Sequence, residues 1–240
     1  MVKSFRGDLM EMRERLRERK PFAFSRFGEG ELRILTGELR RYPEFCFNPS
    51  DPAYVFLHER LLDSFRYRDE SYFVGISCPR CVGEERFFWA KRTSGQTEAQ
   101  LTWATLFVNS NYQFFKDEVV PLFAGYTVFL VCHKYAKLDG LTFRVAGDYW
   151  VEKNAWRTDY NLSHRLAEFT ARKQIKGALF LLCAGPFANI LAHQLHAREP
   201  KNTYVDVGSA LDPYLFGEEG LTRRYLKGES KFLMRTCTWR

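Results

Sequence analysis

The sequence predicts an α/β protein: an open, mostly parallel, Rossmann-like sheet covered by helices on both faces. Three observations carry that expectation. Apolar, strand-like runs alternate with helical periods over the whole length. Residues 163–207 read helix, strand, turn, helix, strand, and the crossover in such a β–α–β unit implies parallel pairing. No internal repeat and no linker rich in Pro, Gly or Ser interrupts the 240 residues. A single domain over residues 1–240, with an opening helix and a basic, aromatic C-terminal tail, is the simplest organisation.

The elements follow in order. Leu9, Met12 and Leu16 lie at helical spacing within residues 8–19, which gives an amphipathic helix ending before Pro21. Phe22–Phe27 is short, aromatic and alternating, so it reads as a strand. Gly28-Glu29-Gly30 breaks it, and a helical period resumes from Glu31 to Leu39. Residues 52–67 read as a helix, 71–77 as a buried strand, and 84–115 as helices broken at Thr93-Ser94-Gly95. Residues 126–132 are β-branched and apolar, a strand. Either 143–146 or 149–151 supplies another short strand. A helix at 163–173, a strand at 178–183, a helix at 187–196 and a strand at 203–207 complete the series.

Composition bounds the function. The net charge is +7 and the pI 9.1, a balance that favours an anionic partner: nucleic acid, a phosphorylated metabolite or a membrane surface. The longest apolar runs, such as Ala178–Cys183, are far too short for a membrane span, and no apolar leader opens the chain, so a cytoplasmic protein is expected. In that setting Cys46, Cys78, Cys81, Cys132, Cys183 and Cys237 read as reduced thiols rather than disulfides.

Two segments have the residue types that phosphate chemistry needs. The first is Arg26-Phe27-Gly28-Glu29-Gly30-Glu31 at a strand-to-helix junction. Two carboxylates beside glycines can converge on a Mg²⁺ or Mn²⁺ ion that bridges them to phosphates, with Arg26 adding a fixed positive charge. Equally, Glu29 and Glu31 are what a helix N-terminus prefers for its dipole. The second is Cys183-Ala184-Gly185-Pro186, a strand-to-helix turn whose amides suit a diphosphate. Asp206 follows Gly185 at about the ~20-residue offset of a ribose-binding acid, although the full dinucleotide glycine pattern is absent and an ordinary βα turn has the same look. Gly208 and Asp212 extend the polar loop at the same sheet edge.

Other features are weaker. Cys78-Pro79-Arg80-Cys81 has zinc-type spacing but no second pair, and a redox role needs the motif to open a helix after a strand. His133 ends a strand and is a candidate base or a structural histidine; His193 and His196 read as helix surface. The tail from Arg223 to Arg240 interleaves cations with Tyr, Phe and Trp, suited to phosphates and exposed bases. No nucleophile elbow and no P-loop occurs.

Together these segments resemble the GT-D type glycosyltransferases, a family first catalogued as a domain of unknown function, from Phe24 to about Phe216. That family carries Arg-Phe-Gly-Asp-Gly-Glu near its N-terminus, and its D-x-E acids hold the metal on a nucleotide sugar. Here the first acid is Glu29, which keeps the charge but lengthens the arm. The family's later Gly-Pro turn and Asp-x-Gly strand end match Ala184-Gly185-Pro186 and Asp206-Val207-Gly208, followed by Asp212. A mid-chain Asn-Ala pair before an aromatic recurs as Asn154-Ala155-Trp156. The resemblance implies a hexosyl- or pentosyltransferase with a UDP-type donor and Mn²⁺ or Mg²⁺ on Glu29 and Glu31. It implies Glu29, Glu31 and Asp206 in catalysis. Arg26, Gly28, Gly30, Asn154, Gly185, Pro186, Asp206, Gly208 and Asp212 would hold the donor. The basic, aromatic tail favours a hydroxymethylated pyrimidine in DNA as acceptor, with a saccharide or glycopeptide, or a non-catalytic nucleic-acid-binding module, as the competing expectations.

Overall fold

The computed structural model describes residues 4–217 and 225–226. Its strands are β1 (Ala23–Phe27), β2 (Arg40–Arg41), β3 (Cys46–Phe47), β4 (Tyr72–Ile76), β5 (Leu101–Trp103), β6 (Val128–His133), β7 (Val145–Val151), β8 (Leu179–Leu182) and β9 (Thr203–Asp206). The helices are α1 (Phe5–Arg17), α2 (Glu29–Leu35), α3 (Pro52–Arg66), α4 (Pro79–Val82), α5 (Glu84–Ser94), α6 (Tyr112–Phe114), α7 (Ala155–Thr158), α8 (Leu162–Arg172), α9 (Pro186–Arg198) and α10 (Asp212–Phe216). Seven strands form one sheet in the order β5-β4-β1-β9-β8-β6-β7, and every pair in it is parallel. β2 and β3 pair antiparallel as a separate ribbon.

Side-chain alternation along the strands decides which helix meets which face. On β1, Phe24 meets Phe107 edge-on, and Phe107 in turn meets Phe115. Phe27, on the opposite face, packs on Phe65 of α3, and Ser25 on that same face bonds Asn189 of α9. α9 therefore lies over β1, β8 and β9 between α3 and α8. α1 covers the β5 side, its Leu9, Met12 and Leu16 all buried as their spacing predicts. Residues Phe129, Phe180 and Tyr204 are register neighbours on β6, β8 and β9, and their rings stack at 4.9 and 5.1 Å. Each such ring contributes on the order of 1.5–3 kcal/mol through burial. β8 and β9 are buried along their whole length, as strands covered on both faces must be.

The strand order positions the site. After β6 the chain runs outward to β7, whereas after β8 it runs inward to β9. Connections that leave neighbouring strands in opposite directions open a crevice at their carboxyl ends, where ligands bind in open α/β sheets.

Three differences from the sequence expectation have local causes. Residues 101–103 form edge strand β5 inside a stretch expected to be helical, because Leu101 and Trp103 are buried against β4 and α1. The two short strand candidates at 143–151 merge into the single strand β7, whose other edge has no strand neighbour among the described residues. The β2–β3 ribbon is too short to show a period and was not foreseen. The tail from Arg223 onward, apart from residues 225–226, lies outside the described residues, as does Cys237. Among the described residues no helix is long and apolar enough to cross a membrane.

Candidate active site

A cleft of about 530 Å³ opens at the carboxyl edge of the sheet. The ends of β1, β6, β7 and β8 form its floor through Arg26, His133, Val151 and Cys183. Glu31 of α2, Pro43 and Glu44 of the ribbon, Lys153, and Gly208, Ser209 and Asp212 after β9 form its walls.

The floor centres on Arg26, which Asp206 holds from behind. β1 and β9 pair only as far as Phe24 and Val205, so the Arg26 amide has no strand partner on that side. The Asp206 carboxylate replaces the ladder. Oδ2 accepts from the Arg26 amide at 3.2 Å, Oδ1 accepts from the Gly208 amide at 3.0 Å, and the Arg26 Nε lies 3.8 Å from Oδ1. The Arg26 guanidinium occupies the space where a Cβ on Gly208 would be, and Gly208 has φ +51°; the position therefore requires glycine twice over. Asp206 is only 3% exposed. Burial pushes its carboxyl up to about 7, with Glu31 adding to the rise and Arg26 and the two amides opposing it. Asn189 of α9 donates to the Arg26 carbonyl at 2.9 Å and to Ser25 at 3.0 Å, which fixes the end of β1 from behind.

Glu31 and Glu29 part company. Glu31 sits at the third position of α2 and its Oε2 accepts from the Gly28 amide at 3.0 Å, closing a helix-capping arrangement while facing the cleft. Glu29 is exposed outside the cleft, with its carboxylate on Arg33 one turn along at 2.7 Å. The chelate expected from both glutamates does not fit this placement, and among the described residues no group of three or more His, Cys, Asp or Glu side chains is gathered to hold a metal.

The remaining expected residues divide in the same way. Gly185, Gly208 and Asp212 line the cleft with Arg26 and Glu31, whereas Gly28, Gly30, Pro186 and Asn154 do not. Asp206, expected at the chemistry, lies directly behind the wall. Gly30 gives room for the Phe45 ring, which a Cβ would meet at 2.9 Å. Pro186 is buried at the first position of α9, leaving Gly185 on the cleft wall. Asn154 works for the ribbon. It holds the left-handed conformation, its Oδ1 accepts from the Cys46 amide at 3.1 Å and the Trp156 Nε1 at 2.7 Å, and its Nδ2 donates to Tyr54 at 2.8 Å. The Asn154 amide also donates to the Glu44 carbonyl at 2.8 Å, so this residue sets Pro43 and Glu44 over the cleft.

Sequence reasoning missed Glu44, Lys153 and Cys132 as lining residues. A short ribbon carries Glu44, and only the ordering of β6, β7 and β8 brings the other two alongside. His133 lines the cleft with Nδ1 accepting from the Tyr135 amide at 3.4 Å, which leaves the proton on Nε2, a buried atom with no hydrogen-bond partner among the described residues. Burial lowers its pKa, so the ring is neutral near pH 7. Burial also raises the Cys132 thiol to about 12 and the Cys183 thiol well above its ordinary value. Neither is an ionised nucleophile at neutral pH.

No protein-family model and no curated sequence matches the chain. Two solved structures do. One is a selenomethionine-substituted structure of domain of unknown function 1792, at TM-score 0.56 and 18% identity, over 86% of this chain and 78% of that one. The other, at the same TM-score and identity and over 86% and 79%, is described with the statement that this highly conserved domain has a distinct glycosyltransferase fold. The seven-stranded parallel sheet is thus a glycosyltransferase-type α/β fold, shared with that domain as the sequence resemblance implied.

Proposed function

We propose that the chain is a glycosyltransferase that moves a sugar from a nucleotide donor of UDP type to an acceptor hydroxyl. The observation that supports this best is the carboxyl-edge cleft of a glycosyltransferase-type sheet, in which Arg26, Glu31 and the start of α9 at Gly185 face one space. Charge accumulates on the diphosphate as the glycosidic bond breaks. The Arg26 guanidinium and the positive end of the 13-residue helix α9 stabilise that charge more in the transition state than in the ground state. Asp206 acts through Arg26 as a positioning group, since its carboxylate is spent on the amides that hold the arginine in place. The base that takes the acceptor proton comes from the wall, where Asp212 is the candidate; neutral His133 has its one lone pair on Nδ1, which already accepts from the Tyr135 amide.

Dependence on Mn²⁺ or Mg²⁺ belongs to the same proposal, with Glu31 the carboxylate that would meet the ion beside donor phosphates. The proposed acceptor is a hydroxymethylated pyrimidine in DNA, supported by the net charge of +7 and the cationic, aromatic tail, and the proposed setting is the cytoplasm. Thermal unfolding in the presence of UDP or UDP-sugars tests the donor. Stabilisation should grow with ligand, reaching about 2.7 kcal/mol at a hundredfold excess over Kd. A nucleic-acid-binding module without donor chemistry shows no such rise.

A further inference from the structure

We propose that Tyr135 is the platform on which the ring of the acceptor pyrimidine stacks, an inference that rests on the transferase reading above. Tyr135 lies just beyond the end of β6, and at 68% exposure it is the most open large aromatic or aliphatic side chain among the described residues. A lone aromatic on a surface needs no explanation. This one is braced beside the cleft. Its amide donates to Nδ1 of His133, which lines the cleft, and the two rings lie 5.1 Å apart at 54°. The Lys134 Nζ sits 5.1 Å from the Tyr135 ring centroid and is tied at 2.6 Å to Glu152, another lining residue. The ring is thus held in place while most of its surface meets solvent.

Its position favours the acceptor over the donor phosphates. Arg26, proposed for the diphosphate, lies on β1, and β6 is three strand spacings away, roughly 14 Å. The loop after β6 is fastened instead to α10, the helix that begins with Asp212, the candidate base. The Lys137 amide donates to the Leu215 carbonyl at 2.7 Å, and a Cβ on Gly140 would collide with the Tyr214 carbonyl, so the loop and α10 are in direct contact. The hydroxyl that gives its proton to Asp212 belongs to the acceptor, and the aromatic ring on the neighbouring loop serves the same molecule. A pyrimidine presents a flat π-face to such a ring, while Lys153, exposed on the cleft wall, suits a flanking phosphate.

Fluorescence anisotropy of a labelled single-stranded oligonucleotide carrying one hydroxymethylated pyrimidine tests this without requiring turnover. Full-length wild type, Tyr135→Ala, Tyr135→Phe and Phe88→Ala are compared, the last removing an exposed ring of α5 far from the cleft lining. Tyr135→Ala should raise Kd by about 10- to 100-fold, with Tyr135→Phe and Phe88→Ala close to wild type. In transfer assays the acceptor KM of Tyr135→Ala should rise in step. A Kd for Tyr135→Ala equal to that of wild type, an equal loss in Phe88→Ala, or no binding by wild type would overturn the proposal. Failure of wild type to release nucleotide from any donor would end the transferase reading instead, and the anisotropy would still decide whether Tyr135 stacks on a base.

Discussion

At the residue scale the decisive group is Asp206, a carboxyl that burial holds near neutrality while two amides and Arg26 pull it toward ionisation. Its folded-state pKa of about 7 lies above the ordinary 3.8, so the folded protein binds the extra proton. Its contribution to stability is therefore favourable at low pH and is lost as pH rises from about 4 to about 7. Asp206→Asn should remove that slope, which urea unfolding at pH 5 and pH 7.5 would measure. It should also lower turnover by about tenfold or more, because an amide cannot accept from both the Arg26 and Gly208 amides. Glu31 carries two duties, capping α2 and facing the cleft, so its removal by alanine would cost about 1 kcal/mol of helix capping on top of any chemistry. Glutamine keeps the cap and isolates the charge. The sequence told that Glu29 and Glu31 sit at a strand-to-helix bend; it could not tell which of them turns inward. Arg33, one turn after Glu29, is the physical reason, since it draws that carboxylate along the outside of the helix.

At the scale of elements, the ribbon β2–β3 is the part of the site least legible beforehand. Two-residue strands show no alternation, and beyond its own short pairing the ribbon is held by Asn154, more than a hundred positions further on. The sequence resemblance singled out Asn154 for the donor, and the structure gives it a different task. Asn154→Ala should strand the Cys46 amide and weaken the hold on Trp156, lowering unfolding free energy by about 1–3 kcal/mol in urea titration. Because β3 then loses its hold at Cys46, two residues after Glu44, donor KM should rise more than kcat falls. By contrast α1, α3 and α8 were legible from the helical period of a buried face, and β4, β6, β8 and β9 from apolar runs that are buried almost throughout. β5 was hidden for the opposite reason: three residues between longer elements carry no period, and only packing against β4 makes them a strand.

At the scale of the whole molecule, the alternation of strands and helices was enough to foresee a parallel sheet with its ligand edge at the carboxyl ends, but not the strand order that decides who lines the cleft. Cys132, His133 and Lys153 become neighbours of Cys183 only because β6 lies between β7 and β8. The net charge of +7 acts at this scale too, as long-range attraction for a polyanion. Transfer to a hydroxymethylpyrimidine-containing DNA should fall steeply between 50 and 200 mM salt, by about 10³-fold if six phosphates are contacted. An absence of DNA affinity at low salt would remove DNA as the acceptor while leaving the donor chemistry standing. The most direct trial of the cleft as the place of that chemistry is release of free nucleotide from a panel of nucleotide sugars, with Mn²⁺ or Mg²⁺ present, by wild type, Glu31→Gln and Glu29→Gln. Wild type should release nucleotide from at least one donor, with Glu31→Gln at least about 10²-fold slower at an unchanged melting temperature. A Glu31→Gln rate equal to wild type, or no release from any donor, would contradict the account.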